Sequence, residues 1–394
     1  MESLRTQPLR IIAKNIANNK NHPIYPCLLY FLYDTLTKFN ICSSLTDGCA
    51  DTAIYLFDTM RIARFARSLT AAALLALLAA CSDSSHPPVA AIISTDSAAT
   101  VAAPLPSSAP APLVALIMKT LTNPFFVEME QGARQVEKEL PVDLQVRTAT
   151  QETSIEQQIQ LVEQAIQASA KAIVIAPGDS TRLVPVLKKA QDAGIHIVNI
   201  DNRLSPEAMA GIAMQPVPFI SVNNEAGAYQ SAQFVARQVQ QPTQVAIIEG
   251  IRSANNAQQR KQGAERAFKE NPFLTLVATE TANWKIDEAY GVAQQIFKSH
   301  PDIGVVFCAN DMMAIGVIKY LQEAGKTKVL VASFDALEEA KTAIRAGHLS
   351  STVDQQAAEQ GYLGVTTALK LIKGEAQPLE IEVAAKLVTA DTLK

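Results

Sequence analysis

From residue 113 onward, short apolar runs alternate with stretches whose apolar residues recur every three or four positions. Leu113–Met118, Val142–Thr148, Ala172–Ala176 and Ile195–Ile200 read as strands. Phe125–Leu140 and Ser154–Ala168 read as helices, the second with Ile155, Ile159, Val162 and Ile166 on one face. Pro177-Gly178-Asp179-Ser180 closes the third strand, with Asp179 or Ser180 placed to cap the next helix, and Gly194 ends that helix. After an irregular stretch (204–218) the alternation restarts. Phe219–Val222, Val245–Glu249, Leu274–Thr279, Gly304–Cys308 and Val329–Ser333 are expected strands. Helices are expected at about 224–240, 256–270, 285–299, 311–324 and 336–346. Ser350–Val353 is a further short strand, 355–373 a long helix, and Ile381–Val388 a last strand.

Strands rich in Val and Ile, each followed by a helix, predict an α/β fold with parallel sheets covered on both faces. Two such runs, broken near 204–218, predict two doubly wound lobes. Ligands of such folds bind outside the carboxyl ends of the strands, so the polar residues there are the candidates.

After the first strand stand Asn123, Phe125 and Phe126. After the strand ending at Ile200 come Asp201 and Asn202. Gly250–Asn256 follows Glu249, with Arg260 close behind. Asn283 and Trp284, the single Trp of the chain, follow the 274–279 strand. Asn310-Asp311, Phe334-Asp335 and Asp354-Gln355 follow the later strands. Each has a plain structural reading: the carboxylates as helix caps or turns, Arg260 as a solvated helix residue, the aromatics as core. Jointly they are the mixture a polyhydroxylated ligand needs. Charged groups and amides bond hydroxyls, and flat rings cover the apolar faces of a sugar.

These residues carry a resemblance. The segment from about 113 to 390 resembles the periplasmic sugar-binding proteins of the ribose-binding type, the solute receptors of ABC importers. The marks are Asn123-Pro124-Phe125-Phe126, Ile200-Asp201, Arg260 before Gly263, Ala309-Asn310-Asp311, Phe334-Asp335 and Val353-Asp354-Gln355. The resemblance implies a type I periplasmic binding protein whose two lobes are joined by a three-strand hinge. It divides the chain into a first lobe of 112–217 and 356–384 and a second of 218–355 and 385–394. It also implies a ligand site of Asn123, Phe125, Phe126, Asp201 and Asn202 from the first lobe and Arg260, Trp284, Asn310 and Asp335 from the second. Gln355 would lie at the hinge. Phe125 or Phe126 would sandwich the sugar ring with Trp284. Three positions depart from the ribose pattern. Asn202, not Arg, follows Asp201 and Arg203 comes next; Trp284 stands where Phe is common; Ala176 stands where the ribose type has Asn. A larger aromatic and fewer ribose-like polar contacts count against ribose itself, and a different monosaccharide, a polyol or a sugar-like signal is expected to fit.

Upstream the chain is different. Met60 begins a stretch with Arg61, Arg64 and Arg67, an apolar run over Leu69–Ala80, and then Cys81. A basic end, a short apolar core and small residues before a cysteine are the layout of a bacterial lipoprotein signal. The expectation is a signal at 60–80 and a lipid on Cys81. Residues 1–59, rich in Asn, Tyr and Phe, are then expected to be translated upstream sequence. Residues 81–111 are rich in Ser, Ala and Pro and show no periodicity, which is expected of a tether. Of the five cysteines only Cys81 and Cys308 remain after such processing, so no intrachain disulfide is expected. Cys308, inside an apolar strand, is expected to be an inert buried thiol.

A net charge of −4 without a basic block argues against a nucleic-acid partner. The fold also serves lac-repressor-type regulators, but their N-terminal helix-turn-helix is replaced here by a signal and a tether. Without a phosphate loop, a His-x-x-x-His pair or a nucleophile elbow, neither an enzyme, a cofactor nor a metal is expected. The reading is a monomeric, lipid-anchored receptor in the periplasm or cell envelope, passing a monosaccharide or polyol to an ABC permease. The competing reading is a receptor of the same fold that feeds a chemoreceptor or sensor kinase.

Overall fold

A computed structural model describes residues 110–394. The upstream segment, the expected signal, Cys81 and nearly all of the expected tether lie outside these residues.

The first sheet is built from β1 (Leu113–Met118), β2 (Asp143–Thr148), β3 (Ala172–Ile175), β4 (His196–Ile200), β5 (Phe219–Val222) and β11 (Glu380–Val383). All six strands are parallel, in the order β11-β5-β4-β3-β1-β2. The strands read as continuous apolar runs because both faces are covered. Val114, Leu116, Val174 and Val198 pack on one side, and Ala115, Ile117, Ile173 and Ile197 on the other. The first side is covered by α1 (Pro124–Glu139) and α10 (Ala357–Ile372), the second by α2 (Ile155–Gln167) and α3 (Val184–Asp192). The α1 and α10 backbones meet closely: a Cβ on Gly132 would lie 1.8 Å from the Ala358 carbonyl oxygen, and one on Gly361 would lie 2.0 Å from that of Met129.

The second sheet holds β6 (Thr243–Glu249), β7 (Leu274–Thr281), β8 (Ile303–Cys308), β9 (Leu330–Ala332), β10 (Ser351–Asp354) and β12 (Lys386–Thr389), in the order β12-β10-β9-β8-β6-β7. It is parallel except for β12, which runs antiparallel to β10. Its helices are α5 (Asn224–Ala236), α6 (Asn255–Lys269), α7 (Ile286–Ser299), α8 (Asp311–Glu323) and α9 (Glu338–Arg345). Cys308 lies fully buried in this sheet, and burial holds its thiol far above its ordinary pKa, as an inert core residue requires.

The chain passes between the lobes three times: after β5, between β10 and α10, and between β11 and β12. Two expectations change. The first crossing does not fall at 217/218 but after Val222, because β5 pairs with β4 and β11 in the first sheet. The irregular 204–218 stretch is an excursion containing a short helix, α4 (Pro206–Gly211), from which the chain returns to the sheet it left. The expected last strand, Ile381–Val388, is two strands. The apolar run continues, but Ala384-Ala385 carry it from one sheet to the other.

Candidate functional site

The carboxyl ends of the strands in both lobes face one another across a small cavity. It is lined by Lys119, Asn123, Phe125, Phe126, Glu152 and Asp201 from the first lobe, and Asn256, Arg260, Trp284, Asn310, Asp335 and Gln355 from the second lobe and hinge. The space between their atoms is about 230 Å³.

On the first lobe, Asn123 caps α1: its Oδ1 accepts from the Phe125 N–H at 3.1 Å. Its Nδ2 donates to Glu152 Oε1 at 3.0 Å. Pro124 at the start of the helix fixes the turn that follows. Phe125 and Phe126 are both buried and meet edge-to-face, with centroids 5.1 Å apart. They are core and lining at once, so the two readings offered by the sequence do not compete. Asp201 directly follows β4 with φ of 62° and forms an ion pair with Lys119, Nζ to Oδ2 2.8 Å. Burial pushes the Glu152 carboxyl above its ordinary range, against the pull of Lys119.

On the second lobe, Arg260 is fully buried and pinned by several acceptors. It donates to Asn224 Oδ1, the Ala309 carbonyl and Gln355 Oε1, each at 2.9 Å, and lies 3.4 Å from Asp335 Oδ1. Its guanidinium plane sits 3.9 Å from the Phe334 ring centroid. Burial lowers the Arg260 pKa; its neighbouring carboxylates oppose that shift. Asp335 also accepts from Gln355 Nε2 at 2.6 Å; burial leaves its carboxyl above the usual range although Arg260 pulls it down. Asn310 caps α8, accepting from Met313 N–H at 2.9 Å.

Asp311 is the hub behind this wall. Its carboxylate accepts from Ser333 Oγ, from Thr352 Oγ1 at 2.8 Å and from the Leu337 N–H at 2.8 Å. It thereby fastens the loop that carries Asp335 and Ala336 at φ of 123° and 58°. Burial raises the Asp311 pKa to about 6. Asn283 and Trp284 likewise adopt positive φ, 48° and 68°. Backbone held in such sparsely populated regions gathers where a side chain must be aimed.

Nine of the ten candidate ligand residues from the sequence line the cavity. Asn202 stands behind it: fully buried, it donates to the Pro177 carbonyl at 3.0 Å and to Ser180 Oγ at 3.3 Å. Its neighbour Arg203 makes a bidentate pair with Glu380, 2.6 Å for each bond, away from the cavity. Three lining residues were not singled out. Lys119 directly follows β1 and Glu152 follows β2, so the strand-end rule reaches both; Asn256 is the last residue of the inspected 250–256 loop.

The lining holds two cations, Lys119 and Arg260, against three carboxylates, Glu152, Asp201 and Asp335. That balance disfavours an anionic ligand and suits a neutral one rich in hydroxyls. Two buried polar atoms of the lining, Asn256 Oδ1 and Trp284 Nε1, have no partner in the protein. A buried polar group without a partner is costly, so each is an opening for a ligand donor and a ligand acceptor.

Residues 114–376 match the family model of the periplasmic binding protein domain. The chain belongs to the periplasmic binding proteins of the ribose-binding type. It is 38% identical over 286 residues to the D-ribose/D-allose-binding protein of Pseudomonas aeruginosa, spanning 71% of this chain and 89% of that one. To the D-allose-binding periplasmic protein of Escherichia coli it is 33% identical, over 70% of this chain and 89% of the relative. A crystal structure of an ABC transporter periplasmic solute-binding protein from Actinobacillus succinogenes with bound D-allose superposes with a TM-score of 0.68. It is 36% identical and covers 72% of this chain and 99% of that one. Members of this family are substrate-binding proteins, and this chain is a binding protein, not an enzyme.

Proposed function

We propose that this protein is the extracytoplasmic receptor of an ABC importer, capturing a neutral monosaccharide of the ribose–allose class between its lobes. The observation that carries the reading is the lining itself. Rings from both lobes, paired charges and two unpartnered polar atoms surround a space of about 230 Å³. D-Allose extends the hydroxyl configuration of D-ribose by one carbon, and relatives above 30% identity carry these two sugars in their names. Asn123, Phe125, Phe126, Asp201, Arg260, Trp284, Asn310, Asp335 and Gln355 hold the sugar, joined by Lys119, Glu152 and Asn256. Asp201, Asp335 and Arg260 make charge-assisted bonds to hydroxyls, and the phenyl rings and Trp284 cover the ring faces.

The sugar bridges the two walls and shifts the hinge toward the closed form, which the permease recognises. A lipid on Cys81 and the Ser/Pro tether hold the receptor at the membrane.

A thermal-shift panel of neutral aldoses, polyols and sugar phosphates tests the ligand class. Stabilisation by D-allose or D-ribose, with none by phosphates, is the expected result; stabilisation by phosphates alone overturns it. Incorporation of labelled palmitate that is lost in Cys81→Ala tests the anchor, and equal labelling of both chains refutes it.

A further inference from the structure

Helices α1, α5 and α8 are each capped by their own preceding Asn: Asn123, Asn223 and Asn310. Helix α6 is not. Its N-cap residue is Ala254, which has no side chain to offer. Its first N–H groups nevertheless have side-chain acceptors, and these come from the other lobe. The Asn255 N–H donates to Ser180 Oγ at 3.0 Å, and the Asn256 N–H donates to Asn202 Oδ1 at 3.1 Å. Beside them the Ser180 N–H donates to the Ser253 carbonyl at 3.3 Å, and Asn256 Nδ2 donates to Asp201 Oδ1 at 3.4 Å. Ser180 and Asn202 are themselves joined, Asn202 Nδ2 to Ser180 Oγ, at 3.3 Å.

We propose that the cleft is held shut by a protein-to-protein clasp in which α6 takes its helix caps from the opposite lobe. Ser180 and Asn202 are then positioning residues for closure. The first N–H groups of a helix have no intrahelical partner. Separation of the lobes returns those of Asn255 and Asn256 to water, and approach of the lobes caps them. None of the clasp bonds involves a ligand atom. The clasp therefore adds a fixed contribution to closure, and the sugar adds the rest. It also sets the reach of the site, since Asn256 and Arg260 lie four residues apart on one face of α6 and both line the cavity. Asn202, which follows Asp201 where the ribose pattern has Arg, thereby has a task outside the lining.

The proposal rests on hinge closure, and the test reads closure apart from sugar binding. Asn255→Pro deletes one clasp donor at the first helical position, where proline is tolerated, and Ala254 already has the extended ψ of 127° that a following proline requires. Ser180→Ala deletes the matching acceptor. Loss of one cap is worth about five-fold in an equilibrium. Asn255→Pro should bind D-allose about five-fold more weakly and Ser180→Ala at least as weakly, since the Ser180 hydroxyl also accepts from Asn202; the double variant should be no worse than Ser180→Ala, which already removes the Asn255 bond. Spin labels at exposed Lys138 and Lys328 should show a smaller closed fraction in the ligand-free variants than in the parent chain. Unchanged affinity with an unchanged distance distribution, or losses that multiply in the double variant, overturns the clasp. If D-allose binds none of the proteins, the sugar assignment fails, and the distance distributions alone decide the clasp.

Discussion

Gly250→Ala adds one methyl group at the floor of the Trp284 ring. The added Cβ would lie 2.1 Å from Cη2 and Cζ2 and 2.3 Å from Cε2. Ordinary contact begins near 3.4 Å, so the ring must retreat by roughly 1.3 Å or the strand must bend. Gly250 does not have positive φ, so alanine meets no backbone penalty there. Without the clash the substitution would stabilise the chain by about 0.4–1 kcal/mol through the unfolded state. The clash reverses the sign, since overpacking costs about 1–3 kcal/mol. The cost to binding is separate. A displaced ring loses its face on the sugar, about 0.5–1.5 kcal/mol, and the hydrogen bond from Nε1, about as much again. The sum is about 1–3 kcal/mol, or roughly 5- to 150-fold in affinity for D-allose. Calorimetric titration measures the affinity. Trp284 is the single Trp of the chain, so its emission reports the ring displacement without any label. Parent-like affinity with an unshifted emission spectrum would refute the placement of this ring as one wall of the site.

Asp335→Ala should weaken D-allose binding by about 1.5–3 kcal/mol, the range for bonds to a charged group, and unchanged affinity in calorimetry would remove Asp335 from the site. Gly361→Ala should destabilise the first lobe by about 1–3 kcal/mol in denaturant unfolding, because α1 and α10 must part to admit a Cβ 2.0 Å from the Met129 carbonyl oxygen; no loss would mean that the two helices slide apart freely. Asp311, raised to about 6, contributes stability that is complete below its unfolded pKa and lost as pH rises through about 6. Lowering the pH from 7.5 to 5 should therefore raise the melting temperature, and Asp311→Asn should flatten that dependence; an unaltered slope would count against a buried, raised carboxyl.

The strand and helix pattern was legible because both faces of each parallel strand are covered, so the apolar runs stand out against amphipathic helices. The last run failed that test. Ile381–Val388 looks like one strand because apolar residues recur through it, and nothing local marks Ala384-Ala385 as the crossing between sheets. The 204–218 loop misled in the opposite sense, its irregularity suggesting a lobe boundary where the chain only leaves and re-enters one sheet. The site was legible by position, since every lining residue follows a strand. What composition concealed was pairing. Lys119 and Glu152 resemble ordinary surface charges until the fold brings Lys119 to Asp201 and Glu152 to Asn123. Asn202 adjoins a candidate ligand residue, yet its side chain turns to Pro177, Ser180 and the first turn of α6, partners 22 to 54 positions away in sequence.

Titration of the protein with D-allose while following Trp284 emission tests the central claim most directly, because the single Trp forms part of the cavity wall. The account predicts a saturable change with one sugar per chain and an affinity in the micromolar range or tighter. Emission that stays constant as D-allose and D-ribose rise to millimolar concentration would contradict it.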